Sequence, residues 1–457
     1  MNIDKKLLDK YNVPTPRYTS YPPANFFTSD FKPQDAVNAI KKSNNLKPEN
    51  ISFYLHIPFC SRLCYYCGCN THITGNRNII NNYVDTLKKE ILIYKKLLSP
   101  RRKISQIHWG GGTPDYLDIN QIKDIMNIFY DNFDFIENAE KAMECHPAHL
   151  TYEYKDALAQ LGFNRLSIGI QDFNETVLKN VNRALPALPV EDSVKYLHKK
   201  GISVNLDFVY GLPGQTIESF SETIRKAVNI NPDRLALFSY AHVPWVKPHQ
   251  KLLEKYNLPD AELKTSLFQT AFNILTESNY VSIGLDHFAK TDDELYTALK
   301  NRELGRNFQG YCTRETTGQV YALGVSGISQ LENAFLQNTK NLKQYSDSIN
   351  NEILPFEKAY FLNENEKITG HIIAEIMSNR YISLADTEKK FNISYDDIIK
   401  ITGLDFDVLK TFEKEKLIEI NGKEISVTHQ GMFFLRNIAA AFDPLTEQSE
   451  KKFSKSL

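Results

Sequence analysis

The stretch "FYLHIPFCSRLCYYCGCNTH", residues 53–72, places four of the chain's six cysteines within ten positions, directly after an apolar, strand-like run. Cys60, Cys64, Cys67 and Cys69 are spaced C-x3-C-x2-C-x-C. A tetrahedral zinc site usually draws two short Cys or His pairs separated by a longer loop, and no second pair follows here. Iron–sulfur clusters are the other home for crowded thiolates, because soft sulfur ligands suit iron. Cys60, Cys64 and Cys67 would then each take one iron of a [4Fe–4S] cluster. Cys69 is so near Cys67 in the chain that joint ligation of one cluster is awkward, which leaves a fourth iron open to a non-protein ligand. Cys145 and Cys312 stand alone and read as small buried or loop thiols.

From about residue 50 the pattern alternates between strand and helix. Strand-like runs are "ISFYLHI" (51–57), "ISQIHWG" (104–110), "KAMECH" (141–146), "RLSIGI" (165–170), "VNLDFVYG" (204–211) and "RLALFSY" (234–240). Helical patterns lie between them. In "NNYVDTLKKEILIYKKLL", Tyr83, Leu87, Ile91 and Tyr94 form one apolar face. Repeated strand–helix units imply a parallel sheet with helices packed on it. Periodicity alone leaves two forms open, a partial barrel and a doubly wound open sheet.

Residues 1–45 form an arm. Its "PRYTSYPPANFF" segment, with Pro14 just before it, excludes long helix and reads as an extended segment lying over another domain. Its Tyr and Phe content argues against a disordered tail. Residues 46–340 read as the strand–helix domain and 341–457 as a mainly helical C-terminal domain. In the latter, "LIEINGKEISVT" (417–428) reads as a hairpin turning at Asn421–Gly422 with positive φ at both positions. Helices followed by a hairpin suggest a winged-helix-like domain. Glu413, Glu415, Glu419 and Glu424 interrupt the lysines there, so no basic stripe for nucleic acid forms.

Composition is that of a soluble globular protein, 42% hydrophobic and 24% charged, with a formal net charge of −1. Such a balance provides no general attraction to nucleic acid or anionic membrane. The N-terminus lacks the apolar core of a signal peptide, and no run is long enough to span a bilayer. A cytoplasmic location with reduced thiols is expected, and with it a metal-binding or catalytic use of the cysteines.

The C-x3-C-x2-C spacing resembles the signature of the radical S-adenosylmethionine (SAM) superfamily. Each strand-like run ends in unusual chemistry: "WGGGTP", "ECHP", "GIQDF", "DFVYGLPG" and "YAHVPW" follow the second to sixth. Active sites of parallel α/β folds form at these C-terminal strand ends. Taken singly, each motif is as well explained by structure: a glycine run by a tight turn, Glu144 by a loop salt bridge. Taken together with "PRYTSYP", "HIPFCSRLCYYCGCN", "GFNRLSIGIQDFN", "NVNR", "GLDHFAK", "RNFQGY", "GVSGIS" and "RNIAAAFD", they resemble the oxygen-independent coproporphyrinogen III oxidase family along essentially the whole chain.

The resemblance implies a partial (β/α)6 barrel of the radical SAM type, one [4Fe–4S] cluster and two SAM molecules. It makes Cys60, Cys64 and Cys67 the cluster ligands and leaves Cys69 outside the ligand set. Tyr54, Gly111, Glu144, Ala241 and Ile328 match contacts to the cluster-bound SAM. Tyr66, Gly112, Thr113, Gln171, Arg183 and Asp207 match contacts to the second. Asp115 and His146 depart from the family, which commonly has Thr and an acid at those places.

The implied reaction is decarboxylation of two propionates of coproporphyrinogen III to vinyl groups, through a 5′-deoxyadenosyl radical, giving protoporphyrinogen IX. Arg17 and Arg306 are candidates for the propionates, because a guanidinium fork matches a carboxylate; surface salt bridges are the plain alternative. A separate electron donor and acceptor, unnamed by the sequence, complete the partners, with no nucleic acid or membrane span; a monomer is expected. Rival classes are a haem-binding or haem-modifying radical SAM relative, a zinc-stabilised interaction protein, and a winged-helix regulator with an iron–sulfur sensor.

Overall fold

The computed structural model describes residues 5–447 and residue 453; Met1–Asp4 of the arm and the rest of the C-terminal tail lie outside the described residues. By packing, the chain forms two interleaved units. The barrel unit comprises Thr28–Tyr280 and Glu315–Ala359, and the second unit Met1–Phe27, Val281–Arg314 and Tyr360–Leu457.

In the barrel unit six strands follow the chain: β1 (Ile51–Ile57), β2 (Ile104–Gly111), β3 (Phe135–Cys145), β4 (Arg165–Gln171), β5 (Ser203–Tyr210) and β6 (Arg234–Ser239). They pair as parallel neighbours in that order. Their connections carry helices, which places the fold among partial (β/α)6 barrels, as the family resemblance implies. β7 (Gln319–Leu323) pairs with β1 in parallel, and β8 (Ile328–Gln330) and β9 (Ala334–Asn338) extend it antiparallel. Five of the six predicted runs match their strands within a residue or two. β3 starts six residues before "KAMECH", because its first half, "FIENAE", is polar and part-exposed and has no apolar alternation to mark it.

The helix α1 (Arg77–Leu97) buries Tyr83, Leu87, Ile91 and Tyr94, the predicted face. Phe53 of β1 meets Tyr94 edge-on at 6.4 Å and Phe129 at 5.1 Å between ring centroids. Burying each such side chain contributes roughly 1.5–3 kcal/mol, so this layer fixes β1 against its helices.

In the second unit, helices Glu364–Asn379, Leu384–Phe391, Tyr395–Thr402 and Phe406–Lys414 accompany a three-stranded antiparallel sheet of Tyr381–Ser383, Glu424–Val427 and Ile418–Asn421. This is the winged-helix-like shape. The wing turns differently from expectation. Asn421 pairs with Glu424, so the turn residues are Gly422 and Lys423, and only Gly422 has positive φ, at 61°. Glycine at the first central position makes it a type II′ turn.

The arm also needs correction, being only partly extended. Helices Lys5–Tyr11 and Pro33–Ser43 flank the proline-rich stretch. Both occupy sequence free of internal proline, and Pro33 stands in a first turn, where its missing N–H costs nothing. Tyr11, Tyr18 and Tyr21 of the arm are buried with Ile372, Phe412 and Phe434 of the same unit. Among the described residues no helix is long and apolar enough to cross a membrane.

Candidate active site

Strand register builds the site. Ile57 at the end of β1 lies opposite Gly111 at the end of β2, and the Gly112 N–H donates to the Ile57 carbonyl at 2.8 Å. Two glycines are required by this approach. Gly111 has φ 118°, and a Cβ there would lie 2.7 Å from the His56 ring; one on Gly112 would lie 2.8 Å from the Pro58 carbonyl and 3.0 Å from the Cys60 sulfur.

The cysteine loop is pinned on all sides. Phe59–Cys60 pairs with His72–Ile73, and the Cys60 thiol lies 3.1 Å from the Thr113 hydroxyl. The Asn182 amide donates to the Leu63 carbonyl at 2.8 Å, and the Tyr65 N–H to the Val181 carbonyl at 3.0 Å. From the segment after β6, Lys247 donates to the Cys69 carbonyl (2.7 Å), His249 to that of Cys67 (2.9 Å) and Gln250 to that of Tyr66 (3.1 Å). All six cysteines are free thiols. Burial pushes the Cys60 thiol up to about 11, whereas hydrogen bonding from Cys69 brings Cys67 down to about 6 and raises Cys69 itself.

Among the described residues no three Cys, His, Asp or Glu side chains converge on one point, as ligands of a single ion would. A cubane cluster makes a different demand, since each thiolate takes its own iron. Three free thiols on a loop held by its backbone, facing glycines that leave room beside Cys60, fit that demand. The donor set is all sulfur, suited to iron rather than to a hard cation.

Beside this loop, Glu144 at the end of β3 accepts from the Gly111 N–H at 3.3 Å and faces His108 Nε2 at 3.1 Å. Tyr54 stacks on His108 with centroids 6.1 Å apart. His56 is buried and its pKa is lowered by burial, so the ring is neutral. Its Nε2–H donates to the Asn70 carbonyl at 3.0 Å, and its Nδ1 accepts from the Tyr54 hydroxyl at 3.1 Å. His56 thus ties β1 to the far end of the cysteine loop. Sequence reasoning gave it no role, although a polar residue four positions before the first cysteine was the available signal. Ile328 opens β8 after the loop Gly324–Gly327, and Ala241 is exposed two residues beyond β6.

A second group gathers past β4 and β5. The Arg183 guanidinium donates to the Gly169 carbonyl and points Nη1 at the Cys64 sulfur, 3.6 Å away. Its Nε is buried with no partner. Gln171 holds φ 71°, a conformation that a non-glycine residue adopts only where its surroundings enforce it. Asp207 accepts from Ser167 at 2.7 Å and Asn205 at 2.6 Å. The two departures lie together here. The buried Asp115 accepts from the His146 N–H at 2.9 Å and meets His149 Nδ1 at 3.4 Å. Burial and the Arg183 charge push His146 down to about 2, so it adds no charge.

Arg17 and Arg306 belong to the second unit. Arg17 pairs with Asp286, and Arg306 reaches the Arg17 carbonyl at 3.4 Å while lying 5.2 Å from the Tyr311 ring centroid. Burial would raise Asp286, but Arg17, His287 and Arg306 hold its carboxyl well below the usual range.

Residues 54–227 match the model of the Radical SAM superfamily. Over 461 aligned residues the chain is 40% identical to the oxygen-independent coproporphyrinogen III oxidase of Synechocystis, covering 100% of this chain and 98% of the relative. The Escherichia coli protein of the same name is 37% identical, covering 98% of this chain and 96% of the relative. A solved structure of coproporphyrinogen III oxidase from Escherichia coli, described as a radical SAM enzyme, superposes with a TM-score of 0.89 at 35% identity, over 97% of this chain and 100% of that one.

Proposed function

Because the chain belongs to the family of oxygen-independent coproporphyrinogen III oxidases, within the radical SAM superfamily, we propose that it converts coproporphyrinogen III to protoporphyrinogen IX in haem biosynthesis. A [4Fe–4S] cluster and SAM, held by the residues of this site, would supply the one-electron radical chemistry that oxidative decarboxylation of a propionate to a vinyl group requires. The chain's own residues hold, orient and shield. Cys60, Cys64 and Cys67 hold the irons, and His56 braces the end of their loop. Tyr54, Gly111, Glu144, Ala241 and Ile328 serve the SAM at the cluster; the Glu144 carboxylate, already bonded to an N–H, is an acceptor for an ammonium group.

A second SAM is assigned to Tyr66, Gly112, Thr113, Gln171, Arg183 and Asp207. The unpartnered Arg183 Nε supports this, because a buried donor left unsatisfied costs about 1–3 kcal/mol and a carboxylate would satisfy it. Arg17 and Arg306 are assigned to propionates. Asp286 holds the Arg17 fork while its side chain stays half exposed, and Arg306 braces the same backbone. The chain is assigned an arm (1–45), a barrel (46–340) and a mainly helical C-terminal domain (341–457), with substrate handling given to the arm and the chemistry to the barrel. We assign the enzyme to the cytoplasm as a monomer, with separate electron donor and acceptor.

The observation that carries this reading is the all-sulfur loop set among the Gly111–Gly112 turn, Glu144 and Arg183 at one end of the parallel strands. Anaerobic incubation of reconstituted protein with SAM, dithionite and coproporphyrinogen III tests it. Protoporphyrinogen IX and 5′-deoxyadenosine are the expected products. Breakdown of haem without decarboxylation would overturn it.

A further inference from the structure

The segment after β6, "AHVPWVKPHQKLLEKY" (241–256), has two faces of opposite character. Its inner face is anchored. Besides the three hydrogen bonds to the cysteine loop, the Gln250 carbonyl oxygen accepts from the Val243 N–H at 2.7 Å, and Leu253 is wholly buried. Its outer face presents Trp245 and Val246, 75% and 62% exposed, the two most exposed large apolar residues of the described chain, with Leu252 exposed nearby in sequence. Fraying does not account for this, since the backbone is held on both sides of Trp245: the N–H groups of Val246 and Lys247 both donate to the Val243 carbonyl at 2.9 Å.

Most of the charges close to Trp245 in sequence are basic. Lys251 and Lys255 of this segment and Arg62 of the cysteine loop are exposed. The segment's one acid, Glu254, is already engaged by His242 Nε2 at 3.1 Å. An apolar centre with charged surroundings is the pattern of an interaction site, and a tryptophan at its centre is the side chain most often dominant in such contacts. The basic charges favour a partner with an acidic face.

Position indicates what the partner delivers. The segment's side chains are bonded to the carbonyls of Cys67 and Cys69, so this one segment separates a molecule seated on Trp245 from the cluster loop. Resting on the function proposed above, we propose that the Trp245–Val246 surface docks a small acidic protein that carries a one-electron redox centre. One electron leaves that centre, oxidising it by one, and enters the cluster, reducing it by one; no bond or proton changes hands. A tetrapyrrole with four carboxylates would also meet basic charge. Trp245, at 75% exposed, offers it an open surface and no enclosing walls.

The sequence contains two tryptophans, and Trp109 is wholly buried, so a 5-fluorotryptophan-labelled holoenzyme reports the patch by one of two fluorine resonances. Titration with a flavodoxin, as a small acidic one-electron flavoprotein, is expected to shift the Trp245 resonance, leave that of Trp109 in place, and be reversed by salt. The double variant Trp245→Ala/Lys251→Glu should take electrons from flavodoxin hydroquinone at least about thirtyfold more slowly at subsaturating donor, the effect of losing a hot spot of about 2 kcal/mol. Its turnover with dithionite should equal the parent's. An unmoved Trp245 resonance, or equal reduction by flavodoxin, would overturn the proposal. So would dithionite-driven turnover with a raised KM for coproporphyrinogen III, which would give the patch to substrate. A parent inactive with dithionite would sink the functional reading instead, and the fluorine titration would still decide the docking.

Discussion

Glu90 offers the sharpest test of how this barrel holds its site. It lies on α1, wholly buried, and collects three donors: the Gly324 N–H at 2.7 Å, the Tyr345 hydroxyl at 2.7 Å and the Asn338 amide at 3.0 Å. Beside it, the Tyr83 hydroxyl donates to the His56 carbonyl at 2.6 Å and accepts from the Val325 N–H at 3.1 Å. Glu90 thereby fixes the loop that leads to Ile328. Burial, against the pull of these donors, raises its pKa from 4.5 to about 7. The titratable neighbours Tyr83, Tyr94 and Tyr345 are all pushed upward and stay neutral. The folded pKa lies above the unfolded one, so this group's stabilisation is complete below about pH 4.5. It declines through the interval between the two values and is gone above about pH 7. Between pH 5 and pH 8 the loss comes to roughly 2.5 kcal/mol, or about seventyfold in an opening equilibrium. Hydrogen exchange over residues 323–328, corrected for intrinsic rates, should show protection falling by that order in the parent. Glu90→Gln removes the titration and should flatten the dependence, at lower protection throughout because an amide cannot accept three donors. Parallel pH profiles in parent and variant would refute the reasoning.

Other expectations concern the ligands. Cys60→Ala, Cys64→Ala and Cys67→Ala should each leave little iron after reconstitution, and Cys69→Ala should keep it, as iron and sulfide analysis will show; the reverse order would remove the ligand assignment. Arg183→Ala should retain the cluster and one SAM while weakening the second by about 1.5–3 kcal/mol, roughly tenfold to a hundredfold, in equilibrium dialysis; two SAM still bound with undiminished affinity would contradict it. Deleting residues 1–30 should abolish decarboxylation yet preserve the electron paramagnetic resonance signal of the reduced cluster, and equal activity would dismiss the arm from substrate handling.

The sequence by itself determined the strand–helix alternation, the cysteine loop after the first strand and the chemistry at each strand end. All of these are local signals: apolar period, glycine runs and thiol spacing. Five strands and the apolar face of α1 were legible because each has one buried face that repeats along the chain. The polar first half of β3 and the two arm helices were not, the former for want of alternation and the latter because neighbouring prolines dominated the reading. Only the tertiary structure decided what long-range pairing controls. It revealed that residues 281–314 pack with the arm and the C-terminal helices, that His56 and Glu90 hold loops far away in the chain, and that Trp245 is bare while Trp109 is enclosed. A buried polar residue has no sequence period of its own, and its partners lie tens to hundreds of residues away: Glu90 meets Gly324, Asn338 and Tyr345 only once the barrel has closed around it.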